Sequence, residues 1–354
     1  MIQIRCKNNK KTQKVEIGST LFDVFSAFDL KMTHGPVSAR VNNKVEGMHY
    51  RVYNSKDVEF LDMASSSGSR AYTRTLFFVL CKAVQDIYPN TDVVIDIPVS
   101  NGFYVDIRLG RPVVEEDVNI LRRRMQEIID AKMPIRRYMV PTEDAIALFQ
   151  EKGDVEKVKL LKTSGSIYTT YYKIGEYVDF YYGTLLTNTS GLYLFGLEKY
   201  YDGMLLRIPS LKDPDKLGEM TKQDKMFDIF KEHHRWQDIL GIRTVGDFNQ
   251  AIEAGHATDI INISEALQEK KIAQIAEDTS RHCRIIKIII FMSIFHLLKS
   301  FQNCFFLHGR NPQSFKGKFT FCLVIYQTEN QLPFSSCICC TYNFCDICSV
   351  KQFL

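Results

Sequence analysis

No histidine stands between His49 and His233, although the chain of 354 residues has eight. The long middle of the chain therefore lacks the commonest neutral metal ligand and the usual proton carrier near neutral pH. Cysteine is nearly as scarce there: Cys6 and Cys81 are the only two of ten that precede residue 282, which fits a reducing cytoplasm. The amino terminus, Met1-Ile2-Gln3-Ile4-Arg5-Cys6, has none of the apolar run that a secretory signal needs. Long hydrophobic runs are missing too. The most apolar segment, Ile288 to Leu298, is bounded by Lys287 and Lys299, and as a helix it would cross only about half of a bilayer core. No membrane partner is expected. Charge of one sign is also absent, since 45 basic and 41 acidic residues leave +4. So slight an excess permits contact with nucleic acid without arguing for it, and no DNA partner is expected. Nothing in the sequence signals an oligomeric state.

What is present suits two or three packed domains, with 45% hydrophobic residues. Over residues 1–63, Ile2 and Ile4 alternate with polar neighbours, turn residues Asn8 to Lys11 follow, and Val15 and Ile17 alternate again, which predicts a β-hairpin. Gly18-Ser19-Thr20 offers a helix cap with Asp23 in the first turn. Leu21, Val24, Phe25 and Phe28 recur at helical spacing, and Val37 to Asn42 and Asp57 to Leu61 return to strand patterning. Two strands, a helix and two more strands make a β-grasp arrangement. Ala64-Ser65-Ser66-Ser67-Gly68-Ser69 has the composition of a flexible linker and marks a first boundary.

Residues 70–210 predict an α+β domain. Thr73 to Tyr88 is a helix stopped by Pro89; strands Val93 to Ile95 and Phe103 to Val105 flank the turn Ser100-Asn101-Gly102. Glu115-Glu116-Asp117 opens a helix whose apolar face is Ile120, Leu121, Met125, Ile128 and Ile129. Tyrosine-rich segments follow at 168–182 and 193–201. Residues 211–284 predict a helical connector, with helices over Lys222 to Leu240, Val245 to Ala254 and Asp259 to Asp278. Ile285 to Ile290 predicts a buried strand. Beyond it no period is sustained, and 285–354 is expected to be an aberrant, cysteine-rich tail, disordered or misfolded.

The segments Val15 to Val24 and Val37 to Gly47 resemble the TGS module of threonyl-tRNA synthetases. Cys81 to Pro89, Asn101 to Asp106 and Tyr177 to Phe180 resemble the second additional, editing-type domain of the same enzymes. There the resemblance implies an HxxxH and a CxxxH metal set, and it sets Arg74 and Phe78, then Tyr181 and Leu185, at those four positions. None of them is a zinc ligand, so the resemblance implies a domain without editing chemistry.

The combination, together with Lys199 to Pro209, Val245 to Asn249, Glu253 to Asp259 and Glu265 to Ala276, resembles bacterial nucleoside (uridine) kinases of Bacteroidetes type. That resemblance implies ATP-dependent, Mg²⁺-assisted phosphoryl transfer to the 5′-hydroxyl of uridine or cytidine. The phosphate-binding loop GxxxxGK[ST] should follow the strand at Ile285 to Ile290, yet Phe291 to His296 stand there. Gly317-Lys318 is followed by Phe319 instead of a hydroxyl, with Pro312 at the first glycine's position. The expectation is an inactive amino-terminal part of such a kinase, ended early or shifted in frame near residue 285. No catalytic, cofactor-binding or metal-binding residue is assigned. The alternative is a non-catalytic module that binds RNA or a nucleotide through its TGS part.

Four lesser candidates complete the reading. Cys345 and Cys348, with Cys337, Cys339 and Cys340, have the spacing of a zinc knot but no ordered framework. Arg122-Arg123-Arg124 and Tyr171-Tyr172 could meet phosphates and bases, although such a charge run is more often a solvated helix face. His233-His234 reads as exposed, and His256 as a capping or packing residue.

Overall fold

The computed structural model describes residues 1–281, 319–323 and 338–342, in two compact units, Met1–Ser264 and Glu265–Leu354. The fold is mixed α+β. In the first unit, β1 (Ile2–Cys6) and β2 (Thr12–Val15) form the expected antiparallel hairpin. Ile4 and Cys6 point inward while Gln3 and Arg5 face solvent. Ile17 does not continue the strand. It is 62% exposed, because the chain turns at Gly18 (φ +86°), whose N–H donates to the Val52 carbonyl.

Helix α1 (Leu21–Ala27) starts at the capping box of Thr20 and Asp23 and buries Leu21 and Val24. Strands β3 (Ser38–Val41), β4 (Lys44–Glu46) and β5 (Lys56–Leu61) complete a sheet of order β2-β1-β5-β3-β4, with β1 parallel to β5. This is the β-grasp order. The short β4 went unread in the sequence; its hairpin depends on Asn42 and Asn43 taking φ of 45° and 69°, a left-handed pair that asparagine tolerates.

The serine-rich segment after β5 is no linker. Helix α2 (Ser66–Ile87) begins inside it. The Ser65 hydroxyl donates to the Asp62 carbonyl (2.8 Å) and accepts from the Gly68 N–H (3.1 Å). Ser67, Gly68 and Ser69 are buried, and a Cβ on Gly68 would fall on the Asp62 carbonyl oxygen. Small polar residues here serve close packing at a helix cap, which composition alone cannot tell from flexibility.

Strands β6 (Val93–Val99) and β7 (Gly102–Ile107) pair across the left-handed residues Ser100 and Asn101. Helix α3 (Glu115–Asp130) buries Leu121, Met125, Ile128 and Ile129, as its periodicity predicts. Then come β8 (Arg136–Pro141), α4 (Thr142–Glu151), α5 (Val155–Lys162), β9 (Tyr168–Ile174) and β10 (Tyr177–Phe180). Strands β11 (Gly196–Tyr200) and β12 (Gly203–Arg207) extend the β6–β7 hairpin into a sheet of order β11-β12-β7-β6; the other sheet is β10-β9-β8. The largest core cluster gathers α2, α3 and both sheets around Tyr72, Leu76, Phe78 and Leu80. Helices α6 (Asp224–Leu240) and α7 (Val245–Glu253) follow, separated by Gly241 in the left-handed conformation (φ +67°).

Residues 257–281 are helical. In the second unit β13 (Phe319–Leu323) pairs antiparallel with β14 (Ile338–Tyr342). The strand expected at Ile285 to Ile290, the Gly317-Lys318 segment and Cys345 with Cys348 lie outside the described residues. No helix among the described residues is long and apolar enough to cross a membrane.

Two substitutions test this framework. Gly68→Ala should lower stability to denaturant by about 1–3 kcal/mol, the opposite of the gain that the change brings to an ordinary helix; unchanged stability would refute the contact with Asp62. Asp117 is 3% exposed and accepts from Arg111 (2.6 and 2.8 Å), the Tyr88 hydroxyl (2.7 Å) and the Val114 N–H (2.9 Å). The Arg111 guanidinium, chiefly, holds this carboxyl well below the usual range. A depressed folded-state pKa means stability present above the unfolded value near pH ~4 and lost as pH falls through the folded one. Asp117→Asn should therefore cost about 2 kcal/mol at neutral pH and flatten the acid limb of the stability curve; an unaltered limb would refute the assignment.

Candidate functional site

Arg74 and Phe78 lie one turn apart on α2, and Tyr181 and Leu185 lie on the segment that leaves β10. Tertiary packing brings all four to one place. The Thr75 hydroxyl accepts from the Leu186 N–H (2.9 Å) and donates to the Ala71 carbonyl (2.7 Å), so the segment is tied to the helix. Gly183 (φ +119°) backs onto Arg74, where a Cβ would meet a guanidinium nitrogen at 2.8 Å. Phe78 is fully buried, with the Tyr177 ring centre 5.3 Å away and that of Tyr181 5.8 Å away. An aromatic cluster fills the position.

Behind Phe78 sits a polar group made of Cys81, Tyr177, Tyr181, Asp179 and Lys157. The Tyr177 hydroxyl donates to Asp179 (3.0 Å), and Lys157 lies 2.8 Å from the same carboxylate and also pairs with Asp154. Burial pushes the Cys81 thiol up to about 12, with the Asp179 charge acting in the same direction. Burial likewise raises the Tyr177 and Tyr181 hydroxyls well above their ordinary value. Burial pulls Lys157 down, but Asp179 and Asp154 outweigh it and the ammonium ends raised. The cluster holds its protons tightly, which suits a structural lock better than a proton carrier. Among the described residues no three histidine, cysteine or acidic side chains gather as a metal-binding group.

The other candidates separate. Arg122 donates twice to the Leu197 carbonyl (3.0 and 2.6 Å), and Arg124 pairs with Asp86 and Glu127, each at 2.8 Å. Arg123 stays exposed. Tyr172 is buried and donates to the Gly183 carbonyl (2.7 Å), while Tyr171 stacks on Tyr138 at 5.2 Å. Neither is free for a base. His233 is exposed on α6 as expected, while His234 is half-buried. His256 precedes the helix of residues 257–281 and lies 3.4 Å from Asp259, a capping position as expected.

One feature was not read from the sequence. A cleft of about 200 Å³ opens where the loop after β4 meets residues 184–187, lined by His49, Tyr50, Arg137, Tyr172, Thr184 and Thr187 among others. Its walls come from Gly47 to Tyr50, Ile135 and Arg137, Tyr172, and Thr184 to Thr187, four separate stretches that no local pattern joins.

No protein-family model matches the chain. It is similar to the threonine–tRNA ligase of Syntrophotalea carbinolica, 29% identical over 248 residues, or 66% of this chain and 38% of the ligase. The threonine–tRNA ligase of Clostridium kluyveri is 27% identical over 258 residues (66% and 40%). That of Clostridium perfringens is 26% identical over 265 residues (70% and 40%). The chain thus spans about two fifths of the length of these ligases. They overturn the expectation of a nucleoside kinase. The segments that suggested a kinase, Lys199 to Pro209 and the helices after it, carry no phosphate-binding chemistry of their own, and ATP and Mg²⁺ rested on that resemblance alone.

The state of Cys81 is open to a direct check. Burial, with the neighbouring Asp179 charge, holds the Cys81 thiol protonated well above neutral pH, so its reactive thiolate is scarce at pH 8. Iodoacetamide labelling followed by peptide mapping should leave Cys81 unmodified in the native chain and modify it after unfolding; rapid native labelling would show that the thiol is not held as described.

Proposed function

We propose a synthetase-related role in which this chain binds RNA, tRNA above all, without hydrolysing an aminoacyl ester. The observation that carries the reading is the similarity to threonine–tRNA ligases over 66–70% of the chain, combined with Arg74, Phe78, Tyr181 and Leu185 where the resemblance implies metal ligands. On this reading residues 1–63 are the TGS part, 70–210 an editing-type domain with its ligands lost, and 211–284 a helical connector. A cytoplasmic location goes with it, in keeping with the free cysteines Cys6 and Cys81.

The β8–β9 register supports an RNA ligand. Arg137 pairs with Tyr172, Met139 with Thr170 and Pro141 with Tyr168, so these residues share one face of the sheet. Met139 and Tyr168 are each 63% exposed. Beyond the buried Tyr172, this face offers a ring, a thioether and a guanidinium, which suits stacked bases with their phosphates.

The test uses the full chain with threonine-specific tRNA. Filter binding should show an affinity that falls steeply with salt, while serine charged on the same tRNA should be released no faster than in buffer. Metal analysis of the same sample should find no stoichiometric zinc. Absence of tRNA binding at low salt would sink the RNA reading, and zinc-dependent deacylation would sink the non-hydrolytic part.

A further inference from the structure

We infer that the cleft between the loop after β4 and residues 184–187 binds a terminal phosphate group, through Arg137, His49 and the hydroxyls of Thr184 and Thr187. The inference goes beyond the RNA reading, because a free phosphate monoester would satisfy the site as well as a phosphorylated strand end.

Unspent hydrogen-bond donors carry the argument. The Arg137 guanidinium makes no hydrogen bond among the described residues. Its nearest carboxylate, Glu46, is 4.0 Å away, beyond hydrogen-bond length. Glu46 is itself 6% exposed and also meets Lys44 at 3.0 Å, so Arg137 shares this carboxylate at long range and keeps its N–H donors unspent. Thr184 is buried, at 8% exposure, yet neither its hydroxyl nor that of Thr187 has a hydrogen-bond partner among the described residues. With no protein partner holding them, both hydroxyls are open to a ligand or water in the cleft. The His49 ring packs edge-on against Phe22 at 5.7 Å, and its nitrogens have no hydrogen-bond partner among the described residues.

The surroundings favour an anion. Tyr172 donates to the Gly183 carbonyl and so fixes the backbone just before Thr184. Burial raises the Tyr172 hydroxyl, against a pull from both Arg137 and Arg74, so two guanidiniums bear on this wall. Arg74 has no carboxylate partner among the described residues. The chemistry points to phosphate over carboxylate. A planar carboxylate is satisfied by one guanidinium fork, whereas a tetrahedral phosphate has further oxygens that need donors from other directions. Two hydroxyls and an imidazole supply them. The apolar part of the lining, Ile135, Leu185 and Leu186, offers nothing to a second charge and suits the end of a ligand.

The sheet register contains its own control. Arg136 is exposed like Arg137 but alternates to the opposite face of β8, so Arg136→Ala removes the same charge without touching the cleft. Titration calorimetry of the full chain would use inorganic phosphate, uridine 5′-monophosphate, uridine, and a 5′-phosphorylated hexauridylate. Uridine monophosphate or the phosphorylated strand should bind, with Arg137→Ala weakening either about tenfold or more and Arg136→Ala changing it less than about twofold. Thr184→Val, nearly the same in shape, should also weaken binding and carries the test if Arg137→Ala fails to fold. A monophosphate that matches the strand identifies a free nucleotide as sufficient; a strand that binds much more tightly identifies an RNA end. Uridine binding as tightly as its monophosphate, equal losses in the Arg136 and Arg137 variants, or no binding of any probe would overturn the inference. Transfer RNA binding by a chain that binds neither uridine monophosphate nor the phosphorylated hexauridylate would remove this cleft while leaving the RNA reading intact.

Discussion

The α2 helix is wedged among α3 and both later sheets, and its entry is fixed where Gly68 lies against the Asp62 carbonyl and Ser65 caps the first turn. The rest of the first unit depends on that junction. It couples the last strand of the β-grasp sheet to the main core with no slack, so the loop after β4 meets residues 184–187 at a set distance. Van der Waals packing is unforgiving at such a contact, because a well-packed interior has no spare volume into which the chain could retreat.

The same helix explains why the position implied for a metal is instead part of the core. Phe78 faces inward at 0% exposure and is enclosed by Tyr177 and Tyr181. Rings of this size bring dispersion and apolar burial where a coordination sphere would need open, polar space. The polar residues that remain nearby, Asp179 and Lys157, pair with each other, and a charge so satisfied has little left to offer a substrate. At this spot packing takes the space that a coordination sphere would need, while the neighbouring cleft keeps donors that packing does not use.

Much of this was legible in advance. The β1–β2 hairpin, the Thr20 cap, the apolar face of α3 and the Ser100-Asn101 turn follow from period, cap and turn chemistry within a few residues. The four positions Arg74, Phe78, Tyr181 and Leu185 were legible as a set because a resemblance aligned them, and tertiary packing does bring them together. The readings that failed were made from composition or association. A run of serines looked like a linker, since burial of small residues leaves no periodic trace. A nucleoside kinase was inferred from segments that hold no chemistry, and relatives of another function correct it.

By itself, the sequence determined the element types, the α+β class and the absence of histidine from the middle of the chain, because these depend on residues close together or on composition. Only the tertiary structure decided that Arg122 and Arg124 are consumed by Leu197, Asp86 and Glu127 while Arg137 makes no hydrogen bond among the described residues. All three are arginines in polar segments, alike to any local pattern. What separates them is which acceptor the fold brings within about 3 Å, and that is settled by contacts across the whole chain.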